Sequence, residues 1–224
     1  MVDNDSMLIS VAILGGTGKE GSGLALRWAV NGYRVLIGSR EAQKAHDRAA
    51  ELNVQLGGDY LVGMSNSDAA AQANLVVLTV PYSAHQSTLL SVRDQLQGKI
   101  LVDITVPLAP PRIRAVTVPA GHAAALEAAA LLGESVRVVS AFQNVSAEKM
   151  KTVDEEVNCD VLVTSDDDEA KVEVIKLVEA AGMRGIDAGP LANAVAAESL
   201  TPVLLYINKK YGAKGAGIRI TNLP

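Results

Sequence analysis

The chain has 224 residues, of which 49% are hydrophobic and 20% charged, and a formal charge of −5. That is enough apolar material for one large α/β domain, or one domain with a small appendage, and excludes a disordered, collagenous or disulfide-stapled protein. The acidic balance, with one Phe and one Trp, argues against a nucleic-acid platform, and no apolar run approaches the length of a membrane span.

The first apolar run, Val11-Ala12-Ile13-Leu14, reads as a buried parallel strand and leads into Gly15-Gly16-Thr17-Gly18-Lys19-Glu20-Gly21. Gly16, Gly18 and Gly21 have the GxGxxG spacing of a dinucleotide-binding turn. On this reading Gly16 allows the tight turn, Gly18 lets the backbone approach a pyrophosphate, and Gly21 lets the helix pack closely on the strand. Thr17, Lys19 and Glu20 lie in the same turn and are expected to contact the cofactor. A helical apolar period over 24–30, a stop at Asn31-Gly32 and a second strand over 33–37 complete a strand–helix–strand unit.

The end of that second strand selects the nucleotide. An NAD site usually carries an acidic side chain there for the ribose hydroxyl. This chain has Ser39 and Arg40 instead, a hydroxyl beside a guanidinium fork, which suits the extra phosphate of NADP(H). Lys44, on the following helix, is expected to add a second positive charge, with Glu41 in the first helical turn directed away.

Further strands are expected over 60–64, 74–80 and 99–104, with Pro81 closing the second of these and a helix over 83–95 between it and the third. The stretch 105–119 holds Pro107, Pro110, Pro111 and Pro119, a long stiff connection. An alanine-rich helix over 120–132, a strand over 136–142, another over 160–164, a helix over 167–181 and a strand over 184–188 extend the sheet. Continuous apolar strands alternating with helices predict a doubly wound, mostly parallel α/β sheet of the Rossmann kind. We expect an NADP-binding domain over residues 1–188 and a C-terminal helical segment over 189–224. Pro202 should kink or divide the long helix of that segment.

Ligands in such sheets lie outside the carboxyl ends of the strands. Ser39 and Arg40 would then face the adenosine phosphate end. Thr79, Val80 and Pro81 after the fourth strand, Thr105-Val106-Pro107 after the fifth, and Phe142, Gln143, Asn144 and Val145 after the sixth would surround the nicotinamide and its hydride partner. His46, His85 and His122 are widely separated, and Asp166-Asp167-Asp168-Glu169 lacks calcium-loop spacing, so no metal site is expected. The polar opening Asp3-Asn4-Asp5-Ser6 carries no signal segment, and lone Cys159 has no disulfide partner, which together point to the cytoplasm.

The segments GGTGKEG, IGSR, VPYSAH, DITVPL, VSAFQNV and DVLVTSDDDEA, with the tail AGPLANAVAAESLTPVLLYINKKYGAKGAGIRI, resemble the NADPH-dependent coenzyme F420 reductases from about Leu8 to the C-terminus. The resemblance implies direct hydride transfer, in either direction, between NADP(H) and the deazaflavin coenzyme F420. Such a transfer rests on holding two rings in contact, so no catalytic side chain is expected. Thr79, Pro81, Phe142, Gln143 and Asn144 are the ring-positioning candidates. Lys209, Lys210, Lys214 and Arg219 either guide the anionic tail of the deazaflavin or satisfy a helix C-terminus. The C-terminal segment would complete the deazaflavin site or a dimer contact, and a homodimer is expected. Two departures are visible: Gln143 stands where some members carry His, and Thr164-Ser165 replaces a Cys-Gly pair. They leave open another flavin-like or imine acceptor, or a non-catalytic NADP-binding or redox-sensing module.

Overall fold

Residues Ser10–Leu14 form strand β1, followed by α1 (Lys19–Val30), β2 (Arg34–Ser39), α2 (Ala42–Leu56) and β3 (Leu61–Ser65) in a computed structural model described over residues 9–153 and 155–223. A short helix α3 (Asn66–Gln72) leads to β4 (Leu75–Leu78), α4 (Tyr82–Ser91) and β5 (Ile100–Asp103). Beyond the proline-rich connection come α5 (Ala124–Leu132), β6 (Arg137–Ser140), β7 (Asp160–Val163), α6 (Asp168–Ala180), β8 (Arg184–Asp187) and α7 (Ala194–Tyr211). The polar opening read as carrying no leader lies outside the described residues.

The first six strands make one parallel sheet in the order β3-β2-β1-β4-β5-β6. The chain reverses direction across the sheet between β1 and β4, which opens a crevice at their carboxyl ends. Because side chains alternate along a strand, β1 feeds two cores. Val11 and Ile13 pack with Leu24, Trp28, Val174 and Leu177 on the α1 and α6 side. Ala12 and Leu14 pack with Ala69, Leu89 and Ala125 on the α3, α4 and α5 side. Full burial of each such Val or Leu is worth about 1.5–3 kcal/mol, which is why the central strands carry no polar face.

Several sequence expectations need correction. The strands over 160–164 and 184–188 do not extend the main ladder: β7 and β8 pair parallel with each other in a separate two-stranded sheet. They touch β6 through an isolated antiparallel bridge between Ser140 and Thr164. β6 ends at Ser140 because Phe142 takes a left-handed φ of 71°, which a strand cannot continue through. The helix expected from 120 starts at Ala124, after His122 adopts a φ of 70°. Pro202 does not divide α7, which runs unbroken through it with the proline ring buried. α3 was not anticipated; the Ser65 hydroxyl caps it by accepting the Asp68 N–H at 3.1 Å.

The C-terminal stretch after α7 forms no regular structure over its described residues and is held by hydrogen bonds centred on Asp160. Asp160, fully buried, accepts two hydrogen bonds from Arg184 at 2.9 and 2.5 Å and one from the Ile220 N–H at 2.6 Å. The Asp160 N–H donates to the Ile218 carbonyl at 2.9 Å.

Candidate functional site

A cavity of about 600 Å³ lies at the carboxyl ends of β1, β2, β4 and β5 and is roofed by α7. Its floor is the turn between β1 and α1. Gly15 has a φ of 77°, and a Cβ there would stand 2.7 Å from Val80 Cγ1. The positive φ that tightens the turn therefore belongs to Gly15, while Gly16 lies behind it, where a Cβ would meet the Ile13 carbonyl at 2.8 Å. Gly18 is open: its nearest obstacle is the Gly15 carbonyl at 3.5 Å, leaving room for a ligand backbone to approach. Gly21 lets α1 dock, since a Cβ would stand 2.8 Å from both Gly16 Cα and Thr79 Oγ1. Among the described residues no carbonyl accepts the N–H groups of Thr17, Lys19 or Glu20, as expected of a helix start that faces an anion.

At one end of the cavity stand Ser39, buried, and Arg40, exposed. Arg40 makes no ion pair with the described residues. Lys44 is not brought into the lining; its Nζ pairs with Glu41 Oε1 at 2.6 Å, which also turns the Glu41 carboxylate away as expected. Asn66, at the start of α3, reaches the same end. A Cβ on Gly38 would meet its Oδ1 at 2.8 Å, so Gly38 makes room for it.

Thr79, Val80, Pro81 and Gln143 line the middle and far end. The Thr79 hydroxyl donates to the Leu14 carbonyl at 2.9 Å and so latches β4 to β1. Gln143 is nearly fully buried, and its Nε2 donates to the Asp103 carbonyl at 2.7 Å and to Ser140 Oγ at 2.8 Å. These two bonds fix the amide orientation and leave Oε1 as a buried acceptor with no partner among the described residues. Thr105 Oγ1, also in the lining, is likewise unpartnered. Buried polar atoms without partners are rare, and two of them in one cavity call for a polar ligand edge.

Two ring-positioning candidates lie elsewhere. Phe142 is fully buried in the core, edge-on to Trp28 with ring centroids 5.9 Å apart, because its left-handed backbone turns the ring inward. Asn144 faces β7, donating to the Asp160 carbonyl at 2.7 Å. Sequence reasoning missed Asn66, Thr201 and Leu205. The last two reach the cavity from α7, tied down where Thr201 Oγ1 donates to the Gln143 carbonyl at 2.6 Å.

Beside the cavity lies a buried acid–base cluster. His85 Nε2 is 2.6 Å from Asp103 Oδ2, both groups being buried, and the Thr105 N–H donates to Asp103 Oδ1 at 3.0 Å. Burial opposes a charge on His85, but the Asp103 hydrogen bond and the negative charges of Asp103, Glu127 and Glu198 outweigh it and raise its pKa. Glu198 on α7 accepts the N–H groups of Ala124 and Ala125 at 2.8 and 3.1 Å, capping α5 from a distance. Burial nevertheless pushes its carboxyl up to about 7.

The family model for coenzyme F420-dependent NADP oxidoreductases matches residues 10–107, the strands and loops that build this cavity floor. The F420-dependent NADP reductase of Methanothermobacter thermautotrophicus is 44% identical over 97% of this chain and 97% of its own length. The chain belongs to the F420-dependent NADP reductase family. A second such reductase, from Methanocaldococcus jannaschii, is 43% identical over 96% of this chain and 99% of its own. The crystal structure of a candidate reductase of this family from an Arthrobacter species superposes with a TM-score of 0.78 at 27% identity, covering 95% of this chain and 99% of that one. Among the described residues no helix is long and apolar enough to cross a membrane.

Proposed function

We propose that this reductase passes a hydride directly between NADP(H) and coenzyme F420 inside the single cavity at the β1–β4 crevice. The observation that carries the reading is continuity: one cavity runs from Ser39 and Arg40 to Gln143, Thr201 and Leu205. An NADP nucleotide fits the donors present. Ser39 and Arg40 offer a hydroxyl and a free guanidinium to the ribose phosphate, and the open backbone at Gly18 with the N–H groups of Thr17, Lys19 and Glu20 receives the pyrophosphate. The fixed Gln143 Oε1 and Thr105 Oγ1 are acceptors for a carboxamide or ring N–H.

When both are bound, the nicotinamide and deazaflavin rings would supply the hydride exchange, in either direction. The chain's part is to align and to exclude water. Val80, Pro81 and, from α7, Leu205 give the cavity lining an aliphatic part against which rings can pack. A smaller cavity of about 200 Å³, lined by Asn144, Leu204 and Asn208, shares Gln143, Val145, Thr201 and Leu205 with the first. Asn208 in its lining precedes Lys209 and Lys210 in sequence, exposed cations that suit the anionic tail of the deazaflavin.

The homodimer belongs to the same proposal, supported by the exposed Val203, Tyr206 and Tyr211 on α7. A cytoplasmic location is supported by the buried, unpaired Cys159. The test is steady-state transfer from NADPH to purified F420, followed as loss of the deazaflavin's visible absorbance, with NADH and FMN in parallel. Rapid bleaching specific to NADPH is the expected result. Tight NADPH binding without turnover would assign the cavity to another acceptor.

A further inference from the structure

The Glu20 carboxyl is an ionisable group in the cavity wall that the alignment of two rings does not use. It is half-buried and lines the cavity, and among the described residues it makes no hydrogen bond or ion pair. Its place on α1 tells which end of the cavity it serves. Residues 20, 23 and 27 share one helical stripe. A Cβ on Gly23 would meet Met150 Cβ at 2.7 Å, and Arg27 Nε donates to the Met150 carbonyl at 3.2 Å. That stripe therefore faces the segment after β6, whose Val145 and Ala147 line the cavity beside Gln143, away from Ser39 and Arg40. On the reading given above, this is the end that receives the nicotinamide.

The charged groups around Glu20 do not compensate it. On its own helix, Lys19 lies 3.9 Å from Glu148, and Arg27 spends its guanidinium on backbone carbonyls. On the segment after β6, Lys151 pairs with Glu148 at 2.7 Å, and Lys149 makes no ion pair with it. Arg40 stands at the end of β2, and Tyr82, at the start of α4, donates to Glu127. Half-buried and without a partner, the carboxyl is pushed up to about 7 by desolvation.

We propose that Glu20 sets the preference of this cavity between the oxidised nucleotide, whose nicotinamide ring is cationic, and the reduced one, whose ring is neutral. An ionised Glu20 supplies the missing countercharge and favours NADP+; a protonated Glu20 suits NADPH and would be left as an uncompensated anion if ionised beside a neutral ring. Binding of NADP+ near neutrality then releases a proton, and the preferred substrate shifts from NADPH to NADP+ as pH rises. The inference rests on the nucleotide being seated as proposed above.

The test is calorimetric binding of NADP+ and NADPH to the full chain and to Glu20→Gln, in mildly acidic and mildly alkaline buffer. The ribose phosphate titrates in both nucleotides, so the ratio of the two affinities cancels its contribution. In the unmodified protein that ratio is expected to move toward NADP+ by about tenfold over two pH units, and in Glu20→Gln to stay within about twofold. Repeating the unmodified protein's NADP+ titration in buffers of different ionisation enthalpy reads the released proton without any variant. A ratio independent of pH, or the same slope in Glu20→Gln, overturns the inference while leaving the cavity a nucleotide site. Failure of the unmodified protein to bind either nucleotide overturns the reading beneath it as well.

Discussion

Lys44 Nζ stands 2.6 Å from Glu41 Oε1, so the positive charge one helical turn beyond Arg40 is matched within its own helix. Both groups are largely exposed, and such pairs contribute little to stability. Arg40, with no such partner, is the cation available to a ribose phosphate. Arg40→Ala is expected to weaken NADPH binding by about 1.5–3 kcal/mol, the usual worth of a hydrogen bond to a charged group, and to leave NADH nearly unaffected. Lys44→Ala is expected to cost at most about 0.5 kcal/mol. Equal losses for NADPH and NADH in Arg40→Ala would refute the phosphate assignment; a large loss in Lys44→Ala would mean that the lysine leaves Glu41 when nucleotide arrives.

Two glycines of one turn should fail in different ways. A Cβ on Gly21 collides with Gly16 Cα and Thr79 Oγ1, so Gly21→Ala must displace the start of α1 and lose about 1–3 kcal/mol of stability. Gly18 has open space in front of it. Gly18→Ala should melt at nearly the unmodified temperature yet bind nucleotide at least about tenfold more weakly, a cost near 1.4 kcal/mol. Thermal melts and Kd values on the two variants separate the packing glycine from the ligand-facing one.

The His85–Asp103 pair has a pH signature. Its partners raise the pKa of His85 in the folded protein, so its stabilising contribution is fully present below the unfolded value near 6.5 and fades as pH rises through the folded value. His85→Asn should therefore cost most in mildly acidic buffer and progressively less in alkaline buffer. Glu198, pushed up to about 7, has the same sign, because its ionisation is disfavoured in the folded state. The comparison must accordingly be the difference between variant and unmodified protein at each pH. A difference that does not change with pH would show that folding leaves the imidazole's pKa unshifted, and one that grows as pH rises would show it to be held neutral.

Asp160 behaves in the opposite sense. Its hydrogen bonds from Arg184, together with the Ile220 N–H, hold its carboxyl below the usual value despite burial. Stability from this group is present above the unfolded value and lost as pH falls through the folded one. Arg184 is partly solvated, so Asp160→Asn is expected to cost about 2–3 kcal/mol, between the exposed and buried limits. Amide exchange at Ile220 should accelerate first, since its N–H loses a charged acceptor. Unchanged protection there would mean that the tail is held by other contacts.

The strand–turn–helix around Gly16 and the Ser39-Arg40 pair are legible in sequence because local backbone geometry and charge decide them. α3 is not, since its seven residues of Asn, Ser, Asp, Ala and Gln carry no apolar period, and only the Ser65 and Asp68 spacing hints at a start. Phe142 looked like a ring contact because it follows a strand. Its left-handed backbone, which no aromatic residue advertises, sends the ring into the core instead. Thr201 and Leu205 reach the cavity through the way α7 crosses over it, a tertiary placement without a local signal. The runs over 160–164 and 184–188 read correctly as strands, but their pairing with each other in a separate sheet, beside the Ser140–Thr164 bridge to β6, has no local signal.

Arg27 sits in an apolar helical stretch and is almost fully buried. Its guanidinium donates to the carbonyls of Met150, Lys149, Thr152, Glu155 and Ala181, from 122 to 154 residues away, and the neighbouring Trp28 Nε1 donates to Leu177 at 2.8 Å. The helix that carries the phosphate-binding turn is thus pinned by parts of the chain synthesised much later. During translation the N-terminal strands can pair as soon as they emerge, while the arginine waits for its acceptors until residue 181 is made. A ribosome-bound chain stopped short of that point should carry α1 loosely seated, with the nucleotide turn assembled but not yet locked.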